Sequence, residues 1–262
     1  MKKNACRICG ADVTPYGKAT VLRKYEVQYF ECSACGFVQT EEPYWLAEAY
    51  SEAIARTDIG LVNRNLFNAR VASSVINWFV DGGARFLDYG GGYGLFTRLM
   101  RDRGYDFHWQ DKYARNLFAQ GFEDAVTDTS RFEMITVFEL VEHLADPVAE
   151  LQKLCASTDH LLISTLLVPE SRPKPGEWWD FALEHGQHIG LFTRQSLHAL
   201  AERLGRKLCS NGKSIHYIGT RNICPASFRL AVSGPGRWLA DVACRRSTLL
   251  LKDAGGDAAD IR

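Results

Sequence analysis

Phe86-Leu87-Asp88-Tyr89-Gly90-Gly91-Gly92-Tyr93-Gly94 is the stretch on which the fold turns. Arg85 to Tyr89 has the composition of a buried strand, and the acidic Asp88 stands near its end. Glycine-rich backbone follows and feeds a helix expected from Leu95 to Arg103. Glycines let a main chain approach a ligand closely. The start of the following helix offers N–H groups to an anion, here a carboxylate. At the tip of the next expected strand, Tyr105 to Gln110, stands Asp111, 23 positions after Asp88. A carboxylate there is placed to accept bonds from both hydroxyls of a ribose.

Outward from this loop, strand and helix signals alternate. A helix is expected over Tyr113 to Gln120, a strand over Met134 to Phe138, and a helix over Pro147 to Cys155 with proline in its first turn. A strand over His160 to Leu167 follows, then a helix over Thr193 to Leu204 with Thr193 as N-cap. Lys207–Asn211 and Ile215–Thr220, separated by Gly212-Lys213, read as an antiparallel hairpin. Alternation of this kind implies an α/β fold, a mostly parallel sheet covered on both faces, closed by that hairpin. Leu61, Leu66, Ala69, Ala72, Val75, Ile76 and Phe79 mark a helix before it. Arg101 and Arg103 read as a solvated helix face, and His216 as structural.

The N-terminal 42 residues read differently. Cys6-x2-Cys9 and Cys32-x2-Cys35 supply four thiolates, the set that a tetrahedral structural zinc requires. The residues between the pairs have strand composition and form a hairpin that joins them. The alternative is a redox dithiol pair. Cys155, Cys209, Cys224 and Cys244 read as small buried apolar residues. The expected organisation is a zinc-ribbon-like module at 1–42, a helical linker or lid at 43–80, a cofactor-binding domain at 81–225, and a C-terminal helical extension at 226–262.

Glu139, Glu142 and His143 stand at i, i+3 and i+4, on one face if helical. His185 and His188 lie in a segment just before the helix at Thr193. Two carboxylates and two imidazoles suit a divalent metal such as Mg, Mn, Fe or Zn, and either histidine suits a general base. Trp178, Trp179 and Phe181 are candidates to stack on the flat face of a ligand, with core packing as the alternative. Pro169 to Pro175 reads as a mobile loop and acceptor lid.

At this point the chain resembles class I S-adenosylmethionine-dependent methyltransferases. Asp88, Gly90, Gly92 and Gly94 match their first motif in register, whereas a dinucleotide fingerprint would need glycine where Leu95 stands. Phe132 to Pro147, ending in Glu142-His143-Leu144-Ala145-Asp146-Pro147, is similar to the fourth-strand motif of the small-molecule members. The resemblance covers about residues 62 to 222. It implies a Rossmann-like fold in which the glycine loop holds the methionine part of S-adenosylmethionine, Asp111 the ribose and Asp128 the adenine amino group. The pattern Glu-x-x-Glu-His with a later His resembles the divalent-metal site of O-methyltransferases acting on vicinal hydroxyls. The zinc-binding N-terminus resembles that of sugar C-methyltransferases, but not their further C-terminal domain, so O-methylation is expected. A shorter similar group, associated with bacterial surface-polysaccharide biosynthesis, implies a sugar or glycan acceptor.

The formal net charge of zero and the pI near 7 give no long-range positive field for a phosphate backbone. The Asn/Asp-Pro-Pro-aromatic motif of base methylation is absent. A nucleic-acid methyltransferase or binding module guided by the ribbon is therefore the second reading, and a nicotinamide oxidoreductase the third. No apolar run is long enough for a membrane span, and no apolar segment follows Met1 to Arg7, so a cytoplasmic location is expected.

Overall fold

The computed structural model describes residues 5–51, 59–127, 129–243, 249 and 253. The chain opens with β1 (Val13–Val21), β2 (Tyr25–Cys32) and β3 (Val38–Thr40), then α1 (Leu46–Ala49) and α2 (Leu61–Phe79). The alternating part follows as β4 (Arg85–Tyr89), α3 (Leu95–Asp102), β5 (Asp106–Gln110), β6 (Met134–Phe138), α4 (Pro147–Ser157) and β7 (His160–Ser164). It closes with β8 (Gly190–Leu191), α5 (Arg194–Arg203), β9 (Lys207–Ser210), β10 (Ile215–Gly219), α6 (Pro225–Val232) and α7 (Gly234–Ala243).

Two sheets result. The larger has the order β5-β4-β6-β7-β10-β9. β4 pairs parallel with both β5 and β6, β6 parallel with β7, and β10 antiparallel with both β7 and β9. This is the Rossmann-like arrangement expected, with the closing hairpin laid against β7. β6 and β7 are buried along nearly their whole length, as a sheet covered on both faces demands. Ala72, Val75 and Ile76 of α2 and Phe96 and Met100 of α3 pack with Phe228 of α6 on one face. On the other, Leu151 and Leu154 of α4 and Leu197 and Leu200 of α5 pack with Ile8, Cys32, Cys35 and Phe37.

The smaller sheet has the order β1-β2-β3-β8. Its last strand comes from residues 190–191, so the ribbon's sheet is finished by a segment far outside 1–42. Val38 and Gln39 pair antiparallel with Leu191 and Gly190. A Cβ on Gly190 would stand 2.6 Å from Phe37 Cζ, so only glycine fits this junction. Thr193 caps α5 through a capping box with Ser196, and its hydroxyl also donates to the Cys35 carbonyl at 2.7 Å.

Several expectations fail for identifiable reasons. No helix forms over 113–120. Asp111 Oδ1 accepts from the amides of Tyr113 and Ala114, and the Asn116 amide group bonds Ala119 from both ends, which holds this stretch in turns. Arg101 is buried rather than solvated, because its guanidinium pairs with Asp106 at 2.6 Å and Asp253 at 2.8 Å. Arg103 pairs with Asp241 at 2.7 Å. Leu66 is exposed. Of the scattered cysteines that are described, Cys209 is buried, Cys155 half-buried and Cys224 exposed; Cys244 lies outside the described residues. The 169–175 segment is pinned to the ribbon: Tyr16 donates to the Pro173 carbonyl at 3.0 Å, and Arg172 pairs with Glu31 at 3.0 Å. Among the described residues no helix is long and apolar enough to cross a membrane.

Candidate active site

A cleft of about 1580 Å³ opens at the carboxyl edge of the parallel strands, where open α/β sheets bind ligands. Its walls carry the glycine loop and Asp111 on one side and His143, His185 and His188 on the other.

On the loop side the chain turns sharply after β4. Gly90, Gly92 and Gly94 all have positive φ, at 76°, 53° and 84°. Gly90 is required twice over, since a Cβ there would also stand 2.7 Å from Leu140 Cδ2. The loop's first amides are taken up within the protein. Those of Gly90 and Gly91 donate to the Gln110 carbonyl at 2.8 and 3.2 Å, and that of Gly92 donates to Asp111 Oδ2 at 3.0 Å. Asp111 thus accepts three backbone bonds while lining the cleft. Asp88 lies deeper. It is buried and accepts from the hydroxyls of Thr136 at 3.0 Å and Thr97 at 3.2 Å, tying β4 to β6 and α3. Burial pushes its carboxyl up to about 7, against the pull of these two hydrogen bonds. Tyr89 donates its hydroxyl to Glu150 on α4. Asp128 lies outside the described residues.

On the other side, residues 139–143 do not form the helix that would place Glu139, Glu142 and His143 on one face. Only Val141–His143 make a short 3-10 turn. Glu139 sits in the left-handed region at φ 50°, and its Oε1 accepts from the Ser164 hydroxyl at 2.6 Å. Its other oxygen lies 3.9 Å from Arg64 Nε. Glu139 therefore faces β7 and α2, apart from the cluster it was expected to join. That cluster consists of Glu142, His143 and His188, whose ligand-capable atoms all lie within 4.8 Å of one another.

Glu142 is 3% exposed, and its Oε2 is buried without a hydrogen-bond partner. Burial and the neighbouring Glu139 carboxylate raise its carboxyl well above the usual range. Burial and the adjacent His188 hold His143 well below the usual imidazole range. His188 Nδ1 lies 2.7 Å from the Asp180 carbonyl oxygen, a geometry in which it donates and leaves Nε2 unprotonated. Burial brings its pKa down to about 4. His185 stands behind it, ring centroids 5.3 Å apart, and accepts from the Gln187 amide at 3.4 Å. His216 lies elsewhere, buried between the Thr165 carbonyl at 3.0 Å and Ser210 at 2.8 Å.

The segment carrying His188 is clamped to the ribbon. The Arg7 guanidinium, between the first two cysteines, donates to the carbonyls of Ile189, Thr40 and Glu41 at 3.1, 2.8 and 3.0 Å. The Ile189 amide in turn donates to the Glu142 carbonyl at 2.9 Å. In the ribbon the sulfurs of Cys6 and Cys35 are 3.7 Å apart and those of Cys9 and Cys32 3.4 Å, and all four lie within 4.8 Å of one another. Zinc–thiolate bonds of about 2.3 Å place tetrahedral sulfurs about 3.8 Å apart, so this set fits the ion.

Two site residues escape sequence reasoning. Tyr50 stacks on Tyr113, centroids 4.7 Å apart, and its hydroxyl is 3.0 Å from His143 Nδ1. Asp180 is buried beside His188, where burial and Glu139 push it up to about 7. Neither belongs to a motif, although Asp180 sits inside the Trp178–Phe181 run. In that run only Trp179 is freely presented, 75% exposed on the cleft wall; Phe181 is core, edge-on to Tyr29.

Residues 61–210, more than half of the chain, match a protein family described as a methyltransferase domain. No curated protein matches the sequence. Among solved structures the chain is similar to CalO1, a methyltransferase in calicheamicin biosynthesis with SAH bound, at 16% identity and a TM-score of 0.46, covering 69% of this chain and 60% of that one. An O-methyltransferase family protein from Burkholderia thailandensis is 13% identical, with a TM-score of 0.47 over 68% of this chain and 63% of that one. The plantazolicin methyltransferase BpumL in complex with SAH is 12% identical, with a TM-score of 0.46 over 66% of this chain and 94% of that one. The chain thus spans about 60% of the length of CalO1.

Proposed function

The chain belongs to the methyltransferase domain family, and from that premise we propose that it transfers a methyl group from S-adenosylmethionine to a hydroxyl of a small molecule, a sugar or glycan. The observation that carries this reading is the pairing of two walls in one cleft. The glycine loop and Asp111 face the imidazoles of His143, His185 and His188. The cleft volume exceeds the roughly 300–1,000 Å³ of a pocket for one ligand, which suits a cofactor and an acceptor side by side.

Bound there, S-adenosylmethionine supplies a methyl made electrophilic by its sulfonium. Gly90, Gly92 and Gly94 shape the turn that takes the methionine part, with Asp88 holding that turn from below. Asp111, anchored by three amides, presents its remaining lone pairs to the ribose hydroxyls, and Asp128 is proposed for the adenine amino group. The acceptor side needs a group that removes a hydroxyl proton near neutral pH. His188 and His143, kept uncharged by burial, answer that need, with His185 behind them. Trp179 gives a flat apolar surface suited to one face of a sugar ring. Alignment of nucleophile and methyl accounts for the rest of the rate. The ribbon zinc, on Cys6, Cys9, Cys32 and Cys35, serves structure, since four thiolates leave no open position. The second reading, a nucleic-acid methyltransferase, has the neutral charge against it. We place the enzyme in the cytoplasm and in surface-polysaccharide biosynthesis.

The test is turnover of S-adenosylmethionine against nucleotide sugars and glycans, followed as S-adenosylhomocysteine. A methyl ether on a sugar hydroxyl is the expected product. Methylation of nucleic acid and of no sugar contradicts the assignment.

A further inference from the structure

We propose that Asp180 and Trp179 form a subsite for an ammonium group, so that the acceptor is a sugar carrying a free amine near the hydroxyl that is methylated. The inference rests on the methyl-transfer reading above and narrows its acceptor from sugars at large to amino sugars.

The observation that carries it is a carboxylate without a partner. Asp180 lines the cleft, yet its side chain is only 9% exposed. It sits in the short 3-10 turn Trp179–Phe181, closed by Ala182 in the left-handed region at φ 50°. Among the described residues nothing donates a hydrogen bond to this carboxylate, and no arginine or lysine pairs with it. His188 Nδ1 stands 3.7 Å from Asp180 Oδ1, but its proton goes to the Asp180 backbone carbonyl at 2.7 Å. Buried carboxylates are ordinarily paired, because an uncompensated one is costly. The partner is therefore expected from the ligand.

The surroundings select a positive partner. Glu139, Glu142 and Asp180 lie close enough to oppose one another's ionisation, and burial with the Glu139 charge pushes Asp180 up to about 7. The Arg64 guanidinium does not relieve Asp180, since it faces Glu139 at 3.9 Å. An ammonium relieves this repulsion; an anion adds to it. Trp179, the next residue in the chain, is 75% exposed on the cleft wall and offers an indole face, which attracts a cation through its ring quadrupole. A carboxylate and an indole on one turn thus supply both contacts that an ammonium seeks.

Ion pairing also decides which atom is methylated. Held on Asp180, the nitrogen keeps its proton and has no lone pair with which to attack. The neighbouring hydroxyl gives its proton to His188 Nε2 instead. Its oxygen forms a bond to the methyl carbon while the carbon–sulfur bond breaks and that electron pair goes to sulfur. The products are the methyl ether of an amino sugar and S-adenosylhomocysteine.

The experiment is calorimetry of the full chain at neutral pH, with and without S-adenosylhomocysteine. The probes are the 2-amino-, 3-amino- and 4-amino-deoxyglucoses, each beside its N-acetyl form, with glucose as the neutral reference. Acetylation removes the charge and keeps the nitrogen. At least one free amine should bind about tenfold or more tighter than both its N-acetyl form and glucose, the scale of a hydrogen bond to a charged group. Asp180→Asn should bring that set within about twofold of one another, with S-adenosylhomocysteine binding unchanged. Given S-adenosylmethionine, the preferred amine should gain its methyl on oxygen. No preference for any free amine in the parent, a preference that survives Asp180→Asn, or a methyl on nitrogen overturns the inference. The first of these is read on the parent alone and needs no folded variant. S-adenosylhomocysteine binding without an amine preference removes the subsite and leaves the methyl-transfer reading standing. An amine preference in a chain that binds no S-adenosylhomocysteine supports the subsite and removes that reading.

Discussion

Asp88 and Asp111 stand at the ends of neighbouring parallel strands, yet their surroundings set them to different tasks. Asp88 is enclosed, and its carboxyl is raised to about 7 from an ordinary value of 3.8. The unfolded chain therefore gives up this proton first, and folding loses stability as pH rises from about 4 to about 7, with no further loss above. Asp88→Asn has no proton to lose, so it should gain on the parent across that window by at most about 4 kcal/mol. Urea denaturation at about pH 5 and pH 8 checks this; an equal offset at both pH values contradicts it. His188 carries the opposite shift, down to about 4 from 6.5. An unperturbed histidine base would make kcat fall as pH drops through about 6.5. Here burial keeps the imidazole neutral, so kcat should hold until pH nears about 4.5. A rate that halves near pH 6.5 and is restored to a flat profile in His188→Gln would contradict that placement. Asp88, the glycines and Asp111 were legible in the sequence because their spacing encodes a strand, a turn and a second strand. Tyr50 and Asp180 were not, because each reaches the cleft by a contact between distant segments.

At the scale of elements, helical spacing misplaced Glu139 because the chain leaves β6 with Glu139 in the left-handed region instead of in a helix. The helix expected over 113–120 gave way to side-chain bonds from Asp111 and Asn116 that no periodicity reveals. The strands and helices of the large sheet were readable because buried parallel strands are nearly continuous apolar runs. The β3–β8 pairing was not, since two residues carry no strand signal. That pairing nevertheless joins the ribbon to the His188 segment, and Gly190 is its tightest point. Gly190→Ala should cost about 1–3 kcal/mol through overpacking against Phe37. It should also lower kcat while leaving cofactor affinity within about twofold. Thermal denaturation and steady-state kinetics check both, and an unchanged kcat in a destabilised variant would show the junction to be structural only. Cys32→Ser with Cys35→Ser should release the ribbon zinc. Because Thr193 bonds the second knuckle at the Cys35 carbonyl and Arg7, within the first, bonds the Ile189 carbonyl, the double variant should lose activity together with zinc. Full metal retention in fresh protein, measured by metal analysis, would contradict the ribbon assignment.

Over the whole molecule, the cleft is assembled from four parts: the carboxyl edge of the large sheet, α1 with Tyr50 at its end, the start of α2, and the 176–188 segment held down by the ribbon. Among the described residues the ribbon contributes no side chain to the cleft walls but fixes a segment that does. Neutral overall charge, legible from composition alone, leaves the cleft's own polar groups to choose the ligand. The central claim is that this cleft binds S-adenosylmethionine through the glycine loop and Asp111. Calorimetry of the parent and of Asp111→Ala, with S-adenosylmethionine and with NAD, tests it most directly. The account predicts one S-adenosylmethionine per chain, no comparable binding of NAD, and a loss of about 1.5–3 kcal/mol in the variant, the scale for a hydrogen bond to a charged group. No binding to the parent, tighter binding of NAD, or equal affinity in parent and variant would contradict it.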